Sequence, residues 1–204
     1  MAAYNQNLGM NPVKSLADHA YSANLLWYPI ASGTSTNIFV GSPVNIAAGF
    51  ITIATSGNSF VGAARAFKDF TTGGTGIVAP SANQGVVPST IQQYWAAGTV
   101  KPTGVVTYVG VQVDHQTLFD MQSDATQLPN GFAQTQLVNL FNFSTSTGFT
   151  TSSGNTSTGY STTKIGSNVS AINMRLANLS PNIGNAWSTP LNNALFAMYS
   201  YTLP

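Results

Sequence analysis

Three of the chain's five acidic residues and one of its two histidines fall in a single stretch, VDHQTLFDMQSD, from Val113 to Asp124. Asp114, His115, Asp120 and Asp124 are residue types that hold metal ions or relay protons, so chemistry is sought here first. A hard cation needs several oxygen ligands at once, and zinc needs three or four converging donors. The spacing works against both. The run 117–122 has the composition of a strand, whose side chains alternate between faces, so Asp120 points away from Phe119 and Met121. Asp114 and Asp124 then lie near opposite ends of it, separated by roughly 7 residues at about 3.3 Å each. The glycine and terminal glutamate of a calcium loop are missing. The expected role is structural: Asp114, His115 and Gln116 form a turn, and the later carboxylates face solvent from the strand.

Other chemistries find as little material. Nucleophilic catalysis needs a base held beside the nucleophile, but His19 lies in an irregular N-terminal stretch, His115 in a turn, and no G-x-S-x-G elbow occurs. Glutamate is absent, so a glycosidase pair would have to come from aspartates alone. The GGTG run at Gly73–Gly76 lacks the Lys-Ser/Thr and helix of a phosphate loop. Without cysteine there is no disulfide, thiolate or Cys-ligated zinc. No catalytic residue, metal or cofactor is therefore expected, and the chain is not expected to be an enzyme. Asn142, Asn155, Asn168 and Asn178 match the glycosylation sequon, as chance allows in a chain rich in Asn, Ser and Thr. Trp27, Tyr28, Tyr94, Trp95, Trp187, Tyr199 and Tyr201 either build a sugar platform or serve as core and interface anchors. Their irregular spacing favours anchors.

Composition sets the wider frame. The chain has 204 residues, 43% hydrophobic but only 5% charged, against roughly 25% charged in average usage. A net charge of +1 leaves no basic face for phosphates, so nucleic acid is not an expected partner. Near-neutral surfaces associate readily. The N-terminus has no basic start followed by an apolar run, so no secretory signal is expected, and no apolar stretch approaches the ~18 residues of a membrane span.

Short β-branched and aromatic runs, such as TNIFVGSPVNI, GFITIAT, VVTYVGVQVD, TQLVNLFNF, AINMRLANL and ALFAMYSYTL, alternate with Gly, Pro and Asn turns. In SFVGAARAFKDF, strict alternation puts Phe60, Gly62, Ala64, Ala66 and Lys68 on one face and Val61, Ala63, Arg65, Phe67 and Asp69 on the other. These features predict an all-β fold, an antiparallel barrel or sandwich. Residues 1–26 read as an N-terminal arm outside the core, with one short helix possible after an N-cap at Ser15. Residues 27–204 read as a single β-domain interrupted at 144–170 by a Ser/Thr/Gly-rich loop or insertion too poor in apolar residues to hold core.

Several stretches, in order along the chain, resemble one family. GMNPVKSL (Gly9–Leu16) and YPIASGTSTNIFVGSPVNIAAG (Tyr28–Gly49) resemble the opening of small structural proteins of tailed bacteriophages. FVGAARAF, YWAAGTV with YVGVQVDHQTLFDMQSD, and MRLANLSPNIGNAWSTPLNNALFAMYSYTLP are similar to that family's later strands and tail. The departures are Ser42, where the family often has Asp, and His115-Gln116, where it tends to have Asp-Pro. The family is that of phage capsid decoration, or cement, proteins. The resemblance implies a β-rich body, location on the outer capsid surface of the virion, the phage major capsid protein as partner, and homo-oligomers, with a trimer favoured. On this reading the arm gains order on the capsid, with Met10, Pro12, Val13, Leu25, Leu26 and Trp27 as its apolar anchors. A tail or head-fibre component and a carbohydrate-binding β-module are the alternatives.

Overall fold

The computed structural model describes residues 8–16, 25–58, 60–71, 94–168, 174–182 and 184–199. In chain order the strands are β1 (Asn11–Ser15), β2 (Leu26–Pro29), β3 (Ile38–Phe39), β4 (Pro43–Ala47), β5 (Phe50–Ile53), β6 (Gly62–Thr71), β7 (Tyr94–Trp95) and β8 (Val105–Gln112). They continue as β9 (Thr117–Gln122), β10 (Leu140–Phe143), β11 (Gly154–Asn155), β12 (Tyr160–Ser161), β13 (Ile165–Asn168), β14 (Met174–Leu179) and β15 (Asn193–Met198). One turn of 3-10 helix, Gln134–Gln136, precedes β10. Among the described residues there is no α-helix, and no helix long and apolar enough to cross a membrane.

The larger sheet has six strands in the order β1-β9-β15-β14-β10-β13, and the smaller has five, β2-β8-β6-β4-β5. The β8–β9 connection links the two, and every ladder within them is antiparallel. Each sheet curls a ring of five strands until its first and last touch at one point: β2 and β5 in the smaller sheet, β9 and β13 in the larger, with β1 paired outside that ring. Ile30, just past β2, bridges Ile51 of β5, and Ser123, just past β9, bridges Ile165 of β13. Both bridges are parallel, as they must be: an odd ring of antiparallel neighbours brings its first and last strands together in the same direction. A single bridge is no ladder, so neither ring closes and the architecture is sandwich-like.

The strands form where the residues alternate, and the curl follows from the bulges. The inner face of the larger sheet supplies Phe119, Met121, Phe141, Phe143, Met174, Leu176 and Phe196 to the first core, with Phe132 between its ends. Ile30, Val44, Ile51, Val61, Ala64, Phe67, Val109 and Val111 fill the second, inside the smaller sheet, under Trp95 and Ile38. Strict alternation fails in β6 at Arg65, which the register skips between Ala64 and Ala66. The extra residue resets the pleat, so Ala64 and Phe67 share the second core while Phe60 and Ala63 reach the first.

Two boundary expectations need correction. The N-terminal arm is not outside the core. Met10 is 0% exposed within the first core, and β1 is a strand of the larger sheet that runs to Ser15. The Met10 N–H donates to Gly41 O at 2.8 Å. That approach requires Gly9, at φ +62, where a Cβ would stand 2.6 Å from the same oxygen. Residues 17–24, the rest of the expected helix, lie outside the described residues.

The Ser/Thr-rich segment does hold core. Its described part contains β11, β12 and β13, places Ile165 in the first core, and buries Ser144, Thr151, Ser161, Thr163 and Lys164. Its hydroxyls bond inside the protein. Ser161 Oγ lies 2.8 Å from Thr163 Oγ1 and donates to Ser153 O at 3.2 Å, and Thr163 Oγ1 donates to Thr150 O at 3.2 Å. Satisfied in this way, hydroxyls can be buried without the cost of an orphaned polar group.

Candidate functional site

The four residues of the acidic stretch take separate structural positions. Asp114 closes the β8–β9 turn, accepting from the Gln116 N–H at 2.9 Å and the Thr117 hydroxyl at 3.2 Å. His115 is exposed in that turn. Asp120 sits on the outer face of β9, half-buried, and one of its oxygens accepts from Ser180 Oγ at 3.0 Å and Asn182 Nδ2 at 3.1 Å. Burial pushes its carboxyl above the ordinary value, against the opposing hydrogen bonds from Ser180, Asn182 and Asn193.

Asp124 corrects the expectation of a solvent-facing carboxylate, for it is 1% exposed. It accepts from the Thr126 N–H at 2.9 Å and from Ser144 Oγ at 2.5 Å. Burial pushes its carboxyl up, but the bonds from Ser144, Ser146 and the Thr126 N–H, with the charge of Lys164, outweigh burial and hold it below the usual range. Lys164 is buried beside it with its ammonium 3.8 Å from the centre of the Phe149 ring. Burial pulls this ammonium down against the pull of Asp124. The pair ties the polar segment to the end of β9. Among the described residues no three His, Asp, Glu or Cys side chains are grouped to hold a metal ion.

A second buried carboxylate lies in β6, outside the acidic stretch. Asp69 accepts from Lys101 Nζ at 2.8 Å and from the hydroxyl of its cross-strand neighbour Thr107 at 2.5 Å. The signal was its place in the same alternating set as Val61 and Phe67.

The six expected anchors divide. Met10 and Pro12 are buried and unavailable to a partner. The ring of Trp27 lies along Gly110, whose missing side chain makes room for it, and Lys68 Nζ stands 4.7 Å above the ring. Leu25 is half-buried against the same glycine. Val13 (41% exposed) and Leu26 (47%) do face outward, and Leu16 (45%), which the sequence reading passed over, joins them.

The topology sets these residues on or just beside the strands that flank the β8–β9 turn. β1 and β2 are the outermost strands of their sheets, and each pairs beside the β8–β9 turn. Leu26 is in register with Val111, Ser15 with Thr117, and the Leu16 N–H donates to Gln116 O at 2.7 Å. Both outer edges are blunted against strand addition. β1 carries Pro12, a register shift at Val13 and Lys14, and β2 ends at Pro29. A partner here would meet side chains rather than a free ladder.

The aromatic residues form no platform. Trp95 is fully buried, Tyr94 stacks on Phe39 with ring centres 4.9 Å apart, Trp187 packs on the first core, and Trp27 is engaged as described. Tyr199 is exposed, and Tyr201 lies outside the described residues.

The chain matches no family model, no curated protein and no solved structure.

Proposed function

We propose that this chain is a non-enzymatic structural protein of a phage virion, which binds the outer capsid surface and bridges neighbouring major-capsid subunits as a homo-oligomer, with a trimer favoured. The observation that carries the reading is the apolar group Val13, Leu16 and Leu26, displayed beside the β8–β9 turn on two blunted outer strands. The resemblance of ordered stretches to cement proteins supports it. So does the scarcity of charge, because neutral amide and hydroxyl surfaces can be covered without stripping water from ions. A standard interface buries ~1,600 Å² in total, with roughly 20–30 residues a side. The three side chains are therefore its anchors and not the whole contact.

The test is co-sedimentation of the purified protein with capsids that lack it, together with the melting temperature of those capsids. Saturable binding and a raised melting temperature are expected, with both reduced by Leu16→Asp and Leu26→Asp. Protein left in the supernatant over capsids whose melting is unmoved would refute the reading.

A further inference from the structure

Two loops meet where β9 ends and β15 begins, residues 123–133 and 184–192. They interlock through Phe132, whose ring is buried in the first core, edge-on to Phe141 and Phe196 with centres 5.6 and 5.1 Å away. Its carbonyl accepts from the Ser188 N–H at 2.7 Å and from Asn192 Nδ2 at 3.0 Å, and its own N–H donates to Asn192 Oδ1 at 2.8 Å. Just before Phe132 the first loop carries the chain's one Asn-Gly pair, Asn130-Gly131.

Asn-Gly is the pair in which an asparagine most readily loses its amide, because glycine puts no side chain between its main-chain nitrogen and the amide carbon. Hydroxide takes the Gly131 N–H proton, and the nitrogen attacks Asn130 Cγ. The Cγ–Nδ2 bond breaks, the amide nitrogen takes a proton from water and leaves as ammonia, and a succinimide ring remains. Water then opens the ring at one carbonyl or the other, giving aspartate or isoaspartate. The fold treats the two reacting groups differently. Asn130 is exposed, while Gly131 is buried and its N–H donates to Leu128 O at 2.8 Å. Gly131 sits at φ +62.9 rounded to +63, where an added Cβ would stand 2.0 Å from Thr189 O and 2.4 Å from Asn192 Oδ1. The turn is held at both ends, by Phe132 and by Leu128, which lies in the first core and donates its N–H to Asp124 O at 2.7 Å. While the loops are joined, the Gly131 nitrogen keeps its proton and has no room to swing toward Asn130 Cγ.

We propose that Asn130 is a conditional deamidation site, shielded while the loops of Phe132 and Asn192 stay joined and attacked when they part. The step is one-way, since the ammonia is lost. The isoaspartyl product lengthens the main chain by one carbon between Leu128 and Phe132. Both of those residues are pinned, and the crowding at Gly131 leaves no slack to absorb the extra atom. A molecule caught open is thereby kept from rejoining its loops as before. Either product also places a carboxylate in the stretch from Ala125 to Thr163, which has no charged residue, so modified and parent chains separate by charge. None of this depends on binding to a capsid.

The test incubates the full chain and a synthetic peptide of residues 127–133, QLPNGFA, separately in one mildly alkaline buffer. Peptide mapping by mass spectrometry follows the succinimide, aspartyl and isoaspartyl forms at Asn130. The folded chain is expected to react about tenfold or more slowly than the peptide, because attack must wait for the loops to open. Urea below the unfolding midpoint should raise the rate in the chain. Asn192→Ala, which removes both side-chain bonds to Phe132, should raise it without urea. The isoaspartyl chain, isolated by ion exchange, should melt below the unmodified one. A folded chain that reacts as fast as the peptide overturns the proposal. So does a folded Asn192→Ala variant that reacts no faster than the wild type, or an isoaspartyl chain that melts as its parent does.

Discussion

Asp120, within β9, and Asp124, just past its end, are shifted in opposite directions. Asp124 is held below its ordinary value by Ser144, Ser146, Thr126 and Lys164, which together outweigh its burial. Its contribution to stability is therefore present above about pH 4 and lost as the pH falls through its lowered value. Asp120 is pushed up by burial. Its contribution is fully present below about pH 4 and disappears as the pH rises through its raised value, where an ionised carboxylate is left half-buried. Thermal melts across this range should show Asp120→Asn level with or above the wild type at neutral pH. A clear loss there would mean that the bonds from Ser180 and Asn182 are worth more than the burial costs. Asp124→Ala orphans the Ser144 hydroxyl and the buried Lys164 ammonium, and should cost about 2–4 kcal/mol in urea unfolding at neutral pH. The outward placement of Asp120, against Phe119 and Met121, was legible from local alternation. The burial of Asp124 was not, because the groups that cover it come from residues 144–164, and no local pattern carries that contact.

At the scale of elements, β1 and the polar segment show where composition misleads. A strand of only five residues preceded by Gly9 and Met10 reads as an arm, yet it completes the larger sheet and plugs the first core. Deleting residues 1–15 should therefore destabilise the fold itself by about 3–5 kcal/mol, chiefly through the lost Met10 side chain and the β1 ladder. A deletion that left the melting temperature unchanged while abolishing capsid binding would restore the arm reading. In the polar segment, hydroxyls that bond to main-chain carbonyls look on paper like hydroxyls meant for water. Gly154 reveals the packing: a Cβ there would lie 2.2 Å from the Phe39 ring, so the β11–β12 hairpin rests directly on β3. Gly154→Ala should lower stability by about 1–3 kcal/mol through overpacking, and the companion Phe39→Leu should recover part of that loss. The all-β, antiparallel character was plain from alternating runs and turn residues. The β6 bulge was hidden because one skipped residue leaves every residue type in place and changes only which face each one meets.

On the scale of the whole molecule, two curled sheets share the β8–β9 connection and a boundary at Phe60, Ala63 and Met10. The odd strand count of each ring has a mechanical consequence. The single parallel bridges, Ile30 with Ile51 and Ser123 with Ile165, are seams where a ring can part without unzipping any ladder. In hydrogen exchange the Asp124 amide, bonded across its seam to Ile165 O at 2.9 Å, should exchange well before the amides of the long β6–β8 ladder. Equal protection at both places would mean that the rings open only on global unfolding. The molecule is thus a pair of split rings, continuous along each ladder and joined across each slit by a single bridge whose isoleucines belong to the cores.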